Sequence, residues 1–220
     1  MDLDTTGGKF GFERIISKFE NREIDILVGT QMLTKGLDFR FVKLVGIMNA
    51  DNLLNFPDFR AHERSFQLMA QVSGRSGRTD VRGKVLIQTF NPHHRILQQV
   101  STHAYKEMYK EQLNDRFNYH YPPVYRLIKL TFKHKDYNRV NKAADWYGTS
   151  LRHVFSSGVL GPEYPPIARI RNQFIKHILL KIPPQQSLLK TKAALSRITN
   201  SFLAVKDFRA VRLIIDVDNQ

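Results

Sequence analysis

Residues 26–39 read ILVGTQMLTKGLDF. The three aliphatics at 26–28 have the length and composition of a strand buried on both faces, as in a parallel sheet. Gly29 and Thr30 end the run, and a polar stretch follows with Gln31 and then Lys35-Gly36-Leu37-Asp38. In α/β folds, the loop leaving the C-terminal end of a parallel strand is where ligands bind. Thr30 and Gln31 suit contact with a phosphate backbone, and Asp38 suits coupling of that loop to a nucleotide site. The same residues also read as turn glycines and an ordinary cap. This stretch by itself leaves both readings open.

Around it, helical and strand patterns alternate. Phe12, Ile15, Ile16 and Phe19 recur at i, i+3, i+4 and i+7, the spacing of a short amphipathic helix. Residues 44–48 (LVGIM) and 85–89 (VLIQT) read as further apolar strands, with a helix over 61–72 between them. Three to four strands separated by helices predict a parallel α/β domain truncated on its N-terminal side. Residues 93–118 are helix-rich, and Pro122-Pro123 ends them. A second rhythm follows. Strands are expected at 126–133, 174–182 and 211–217, with helices around Val140 to Val154 and over 187–203. Gly161-Pro162 and Pro165-Pro166 mark a bend. That order is the split βαβ, ferredoxin-like βαββαβ arrangement. The expected division is an α/β domain over 1–96, a helical linker over 97–123 and a basic α+β domain over 124–220.

The net charge is +14, with no cysteine to form a disulfide or a thiolate metal site. Residues 1–96 carry 14 Lys and Arg against 11 Asp and Glu, whereas residues 97–220 carry 20 against 9. A basic C-terminal half points to a polyanionic partner, either nucleic acid or an acidic protein tail. The longest apolar runs are strand-length, far below the roughly 20 residues of a membrane span. The N-terminus, MDLDTTGGKFGFER, shows no signal-peptide pattern. A cytoplasmic setting with no membrane partner is the expectation.

Residues 71–78, QVSGRSGR, place Arg75 and Arg78 three apart, each preceded by glycine. At a helix end this spacing can aim both guanidinium groups the same way, and the glycines let the backbone approach a neighbour. A developing phosphoryl charge needs fixed cations around it, and arginine offers a planar, permanently charged fork. A basic turn capping a helix C-terminus is the bland alternative. Towards the C-terminus, Arg169, Arg171 and Lys176 flank the aromatic Phe174, a mix that suits a single-stranded backbone with stacked bases. Periodicity slightly favours Phe174 as sheet core instead. The histidines, among them His93 and His94, lack acidic or cysteine companions at ligand spacing, so no metal site is expected.

Several strings together, GTQMLTKGLDF (29–39), LVGIMNAD (44–51), PDFRAHERSFQLMAQVSGRSGR (57–78) and GKVLIQTFNP (83–92), resemble the second motor lobe of the PriA (primosomal protein N′) family of superfamily-two DNA helicases. The likeness extends through DTTGGK (4–9), the YPP turn (121–123), GPEYPPIARIRNQF (161–174) and DVD (216–218), so it spans nearly the whole chain. Members usually have His where Leu37 stands and often Pro where Arg40 stands.

The resemblance implies a truncated RecA-like second lobe followed by the ferredoxin-like domain. It implies a role in ATP-dependent, 3′-to-5′ unwinding at stalled replication forks and in primosome assembly. It makes Arg75 and Arg78 the γ-phosphate-sensing arginines. Gln71, Gly36 and Asp38 then lie on the nucleotide side, and Gly29, Thr30, Gln31 and Lys35 contact DNA. The basic domain, with Arg169, Arg171 and Lys176, would meet forked or single-stranded DNA and the acidic tail of single-stranded DNA-binding protein, alongside other primosome proteins. ATP and Mg²⁺ would occupy a site shared with a first lobe, and zinc a cysteine-rich segment, neither of which is in this sequence. Residues 6–9 (TGGK) lack the first glycine of a phosphate loop, and no DExH box is present. By itself the chain is expected to be inactive. Competing expectations are a non-catalytic DNA- and protein-binding module, an RNA helicase, or a RecG-like translocase. The last two sit poorly with GTQMLTKGLDF and the C-terminal βαββαβ rhythm.

Overall fold

A computed structural model describes residues 11–30, 41–74 and 83–218. Two compact units form, Met1–Gln112 and Leu113–Gln220. The first contains α1 (Gly11–Glu20), β1 (Leu44–Ile47), α2 (Asp51–Leu54), α3 (Ala61–Ser73), β2 (Lys84–Ile87), α4 (Arg95–Ser101) and the start of α5 (Tyr105–Asn118). Strands β1 and β2 pair in parallel, Leu44 opposite Lys84 and Ile47 opposite Ile87. Parallel neighbours need a crossover, and α2 with α3 supplies it. Ala61, Ser65, Phe66 and Met69 lie on the buried face of α3. The Ser65 hydroxyl is satisfied by donating to the Ala61 carbonyl at 2.6 Å. Phe66 and Met69 meet Ala50, Leu54, Ile96, Leu97, Val100 and Met108 in one core, with Ile47 and Ile87 packed against it.

Residues 26–28 are not the buried strand their composition predicts. They form no strand, and Ile26 and Val28 are 77% and 71% exposed. A strand is stable only through its ladder and its cover. Among the described residues, the parallel sheet consists of β1 and β2, and residues 26–28 form no strand in it. The helix-rich region divides into α4 and α5 at Thr102 to Ala104, where His103 takes a positive φ of 54°. His94 starts α4 as its N-cap, its Nδ1 accepting from the Ile96 amide at 3.2 Å.

The second unit contains β3 (Arg126–His134), α6 (Tyr137–Phe155), β4 (Val159–Glu163), β5 (Arg169–Ile170), β6 (Gln173–Ile182), α7 (Leu188–Ala204) and β7 (Arg212–Val217). The antiparallel sheet runs β4-β6-β3-β7, with β5 paired to the far end of β6. This is the expected ferredoxin-like order. Both helices lie on one face. Val140, Ala143, Ala144, Tyr147 and Leu151 from α6, and Leu195, Ile198 and Phe202 from α7, bury against Ile128, Leu130, Phe132, Ile178, Leu180 and Ile182. The Tyr147 hydroxyl shares a 2.8 Å hydrogen bond with Thr199, so the buried phenol keeps a partner. Asp136 caps α6 by accepting from the Arg139 amide at 2.8 Å, and that bond holds its carboxyl below the usual range. At the end of β7, the Asp218 carboxylate accepts from the Leu127 amide at 3.1 Å, tying the last strand to the first.

Strand β4 is the member the sequence rhythm calls for without locating. Its register against β6 shifts between Leu160 and Glu163. Gly161 sits at φ 89°, and a Cβ there would lie 2.8 Å from the His177 carbonyl oxygen, so only glycine fits. Pro162 offers no amide to the ladder. Glycine and proline hide the alternation that marks the other strands, and the bulge then appears as a bend.

Candidate functional site

Helix α3 ends where the arginine motif begins. Its buried face is set by Ala61, Phe66 and Met69, which leaves Gln71 exposed on the last turn. Gly74 is the C-cap, its amide donating to the Ala70 carbonyl at 3.0 Å. Arg75 and Arg78 follow directly but lie outside the described residues, as do Gln31, Lys35, Gly36 and Asp38. Gly29 and Thr30 are described and exposed.

Two other parts of the family-like strings have local structural work. Asp58 accepts from the Arg60 amide at 2.7 Å and pairs with the Arg64 guanidinium at 3.5 Å, which anchors the entry to α3. Asp51, after β1, accepts from the Thr89 hydroxyl at 2.9 Å and the Phe90 amide at 3.0 Å, after β2. The Phe90 hydrogen bond is the main reason its carboxyl is held below the usual range. Asp51 therefore fastens the C-terminal ends of both parallel strands, the edge at which such folds bind ligands.

In the second unit, β5 and β6 form a hairpin whose tip residues Arg171 and Asn172 have positive φ of 48° and 62°. Two such residues in succession make the tight primed turn of a two-residue hairpin. Arg169 lies over the Phe174 ring with its guanidinium carbon 5.0 Å from the centroid, and it donates to the Asn172 side chain. Arg169 and Arg171 are exposed, so the hairpin presents two cations beside an aromatic ring. Phe174 also packs against the helix-covered core, as its periodicity predicts.

Lys176 sits apart from that pair. It is 9% exposed, pairs with Asp145 of α6 at 3.5 Å and lies 5.2 Å from the Tyr164 ring centroid. The sequence gives no hint of the tyrosine stack that completes this end: Tyr137 and Tyr164 lie 5.8 Å apart at an interplanar angle of 7°, and Tyr137 meets Phe174 edge-on at 5.4 Å. Burial, helped by the neighbouring Tyr137, pushes the Tyr164 hydroxyl up to about 12, so it stays a donor to Asn141 at 2.8 Å.

The opposite face of the sheet is reached by side-chain parity. Ile128, Leu130 and Phe132 face the helices, so Lys129, Thr131 and Lys133 face away; on β6, so do His177 and Leu179. On β7, Leu213 packs towards the core, which turns Arg212, Ile214 and Asp216 to the other side. At one end of this face, Lys181 donates to the Tyr119 carbonyl at 2.7 Å and lies 3.7 Å from the Tyr121 ring centroid. His177 is half-buried between two lysines. Burial first, then the charges of Lys129 and Lys133, hold its imidazole down from 6.5 to about 4.

The unfolded chain therefore binds a proton between about pH 6.5 and 4 that the folded chain refuses, so stability falls as pH drops through that window. Solvent screening at a half-exposed site reduces the effect to ~1 kcal/mol. His177→Gln should lose less stability than the parent between pH 7 and 5, read by urea unfolding. Equal losses would remove His177 as the cause.

A family model described as helicase conserved C-terminal domain matches residues 11–80, and one described as primosomal protein N C-terminal domain matches residues 118–220. Relatives named replication restart protein PriA include those of Bacillus subtilis, 37% identical over 99% of the chain and 27% of the relative, and of Synechocystis, 39% identical over 99% and 26%. That of Haemophilus influenzae is 35% identical over 100% of the chain and 30% of the relative. The chain thus spans between about a quarter and a third of the length of these relatives. No helix among the described residues is long and apolar enough to cross a membrane. With the two matched domains in series and relatives of one name aligned along both, the chain belongs to the PriA family.

Proposed function

We propose that this chain supplies part of the second motor lobe and a DNA-engaging domain of an ATP-dependent, 3′-to-5′ DNA helicase acting in replication restart and primosome assembly. One observation carries the reading: a helicase C-terminal domain and a primosomal protein N C-terminal domain occur in series in one chain. Arg75 and Arg78 stabilise charge on the transferring γ-phosphoryl group, with Gln71, Gly36 and Asp38 on the nucleotide side. Gly29, Thr30, Gln31 and Lys35 couple that site to the DNA backbone, and Arg169 and Arg171 add contacts from the second unit. Lys176, tied to Asp145, has the weakest case among these residues.

An amide and two arginines at the α3 exit suit a polyphosphate and include no carboxylate for Mg²⁺. They can orient ATP, while the cation's ligands would come from a first lobe. ATP supplies the phosphoryl transfer that drives strand displacement. Zinc would belong to a cysteine-rich segment, since this sequence has no cysteine. The acidic tail of single-stranded DNA-binding protein and other primosome proteins are the protein partners of this reading, which sets the protein in the cytoplasm. Joined to a first motor lobe with a phosphate loop and acidic box, the chain should displace a strand from substrates with a 3′ loading tail, only with hydrolysable ATP. Displacement from 5′ tails alone, or ATP turnover indifferent to DNA, would overturn the reading.

A further inference from the structure

We propose that the helix-free face of the C-terminal sheet binds single-stranded nucleic acid, its phosphates held by Lys129, Lys133 and Arg212 and its bases laid across Thr131, Leu179 and Ile214. This rests on the reading of a DNA-acting protein and adds a surface distinct from the arginine hairpin. In the β3–β7 ladder, Lys133 stands directly opposite Arg212. Like charges at opposed positions of an antiparallel pair are destabilising. The fold retains the pair, and a bound anion removes its cost.

Lys129 and Lys133 are four residues apart on one strand, about 13 Å, which makes a row of cations along the sheet. Two carboxylates border the row, Asp216 opposite Lys129 and Glu163 opposite His177. The unit as a whole is decidedly positive, with 18 Lys and Arg against 7 Asp and Glu over Leu113–Gln220. Between the cations lie the side chains of Thr131, Leu179 and Ile214, with the His177 ring among them, while buried Leu127 and Ile175 close the strip at its two ends. Burial first, and the neighbouring lysines second, keep the imidazole uncharged there.

A strip of this kind favours unpaired bases. A duplex turns its base faces inward and offers the sheet only phosphates and groove edges, whereas a single strand can rest bases on the apolar side chains and the His177 ring and reach cations with its backbone. An acidic peptide would meet the same cations, and a peptide titration separates it from a nucleic acid.

The test is fluorescence anisotropy of a labelled oligothymidylate with the whole chain, across a salt series. The parent is compared with a Lys133→Glu, Arg212→Glu double variant and with an Arg169→Glu, Arg171→Glu hairpin variant. The sheet variant should weaken binding by about tenfold or more and lower the salt slope by about 1.4, two phosphate contacts at roughly 0.7 each. Lys133→Arg should keep parental binding, and the far-ultraviolet circular dichroism of each variant should match the parent. If the parent binds and the sheet variant keeps both affinity and slope, this face is wrong and the DNA-acting reading stands. If the parent binds no nucleic acid, that reading of the unit fails and the proposal with it. If an Asp- and Glu-rich peptide loses affinity in the sheet variant while the oligonucleotide does not, the face docks protein and the proposal falls.

Discussion

Replacing Arg75 or Arg78 with alanine, in a chain that joins this sequence to a first motor lobe, is expected to cut DNA-stimulated ATP turnover by about 10³–10⁵-fold. The magnitude follows from what an arginine does in phosphoryl transfer. It contributes little before charge spreads over the equatorial oxygens and a great deal once it has, so kcat should fall far more than nucleotide affinity. Helix α3 provides the rigid base: its inward residues fix its axis, and Gly74 closes it one residue before Arg75. Arg75→Lys or Arg78→Lys keeps the charge and loses the planar fork, so it should recover only part of the turnover. Unchanged thermal unfolding would separate a chemical from a folding defect. Near-parental turnover in both alanine variants would end the assignment.

The second large effect is on stability. Phe202 is 0% exposed, and its ring meets Phe208 at 5.2 Å, Tyr147 at 5.5 Å, and Phe132 and Trp146 at 6.0 Å. Phe202→Ala should cost about 3–5 kcal/mol, most of what a small domain possesses. The chain's single tryptophan, Trp146, packs against this core, so its fluorescence reports the second unit's unfolding without interference from the first. Phe202→Leu keeps most of the volume and should lose less. A loss below about 1 kcal/mol for the alanine variant would mean the ring cluster is not the core it resembles.

Legibility in the sequence followed the range of the interactions. Helices α3, α6 and α7 and strands β3, β6 and β7 carry their own periodicity, because each buries one face against a continuous core, and all but the start of α6, three residues before Val140, are readable to within a residue or two. Residues 26–28 look equally strand-like, but a strand depends on a partner that local composition does not specify. Strand β4 fails in the opposite sense: Gly161 and Pro162 erase its pattern, while pairing to β6 makes it a strand all the same. The site behaves alike. QVSGRSGR and the hairpin arginines announce themselves as motifs, whereas Lys133 and Arg212 become neighbours only when β3 and β7 align. Lys176 looked like its basic companions until the fold turned it towards Asp145.

The displaced register of β4 also bears on how the molecule behaves in a crowd. An antiparallel sheet has two free margins, and an unguarded margin recruits strands from other copies into growing aggregates. Here one margin carries a proline without an amide and a kink at Gly161, so a stranger's backbone finds no continuous row of donors and acceptors. The other, β7, carries Arg212 and Asp216, charges that resist close stacking of identical strands. Straightening β4 would open that margin to strands from other copies and favour aggregation.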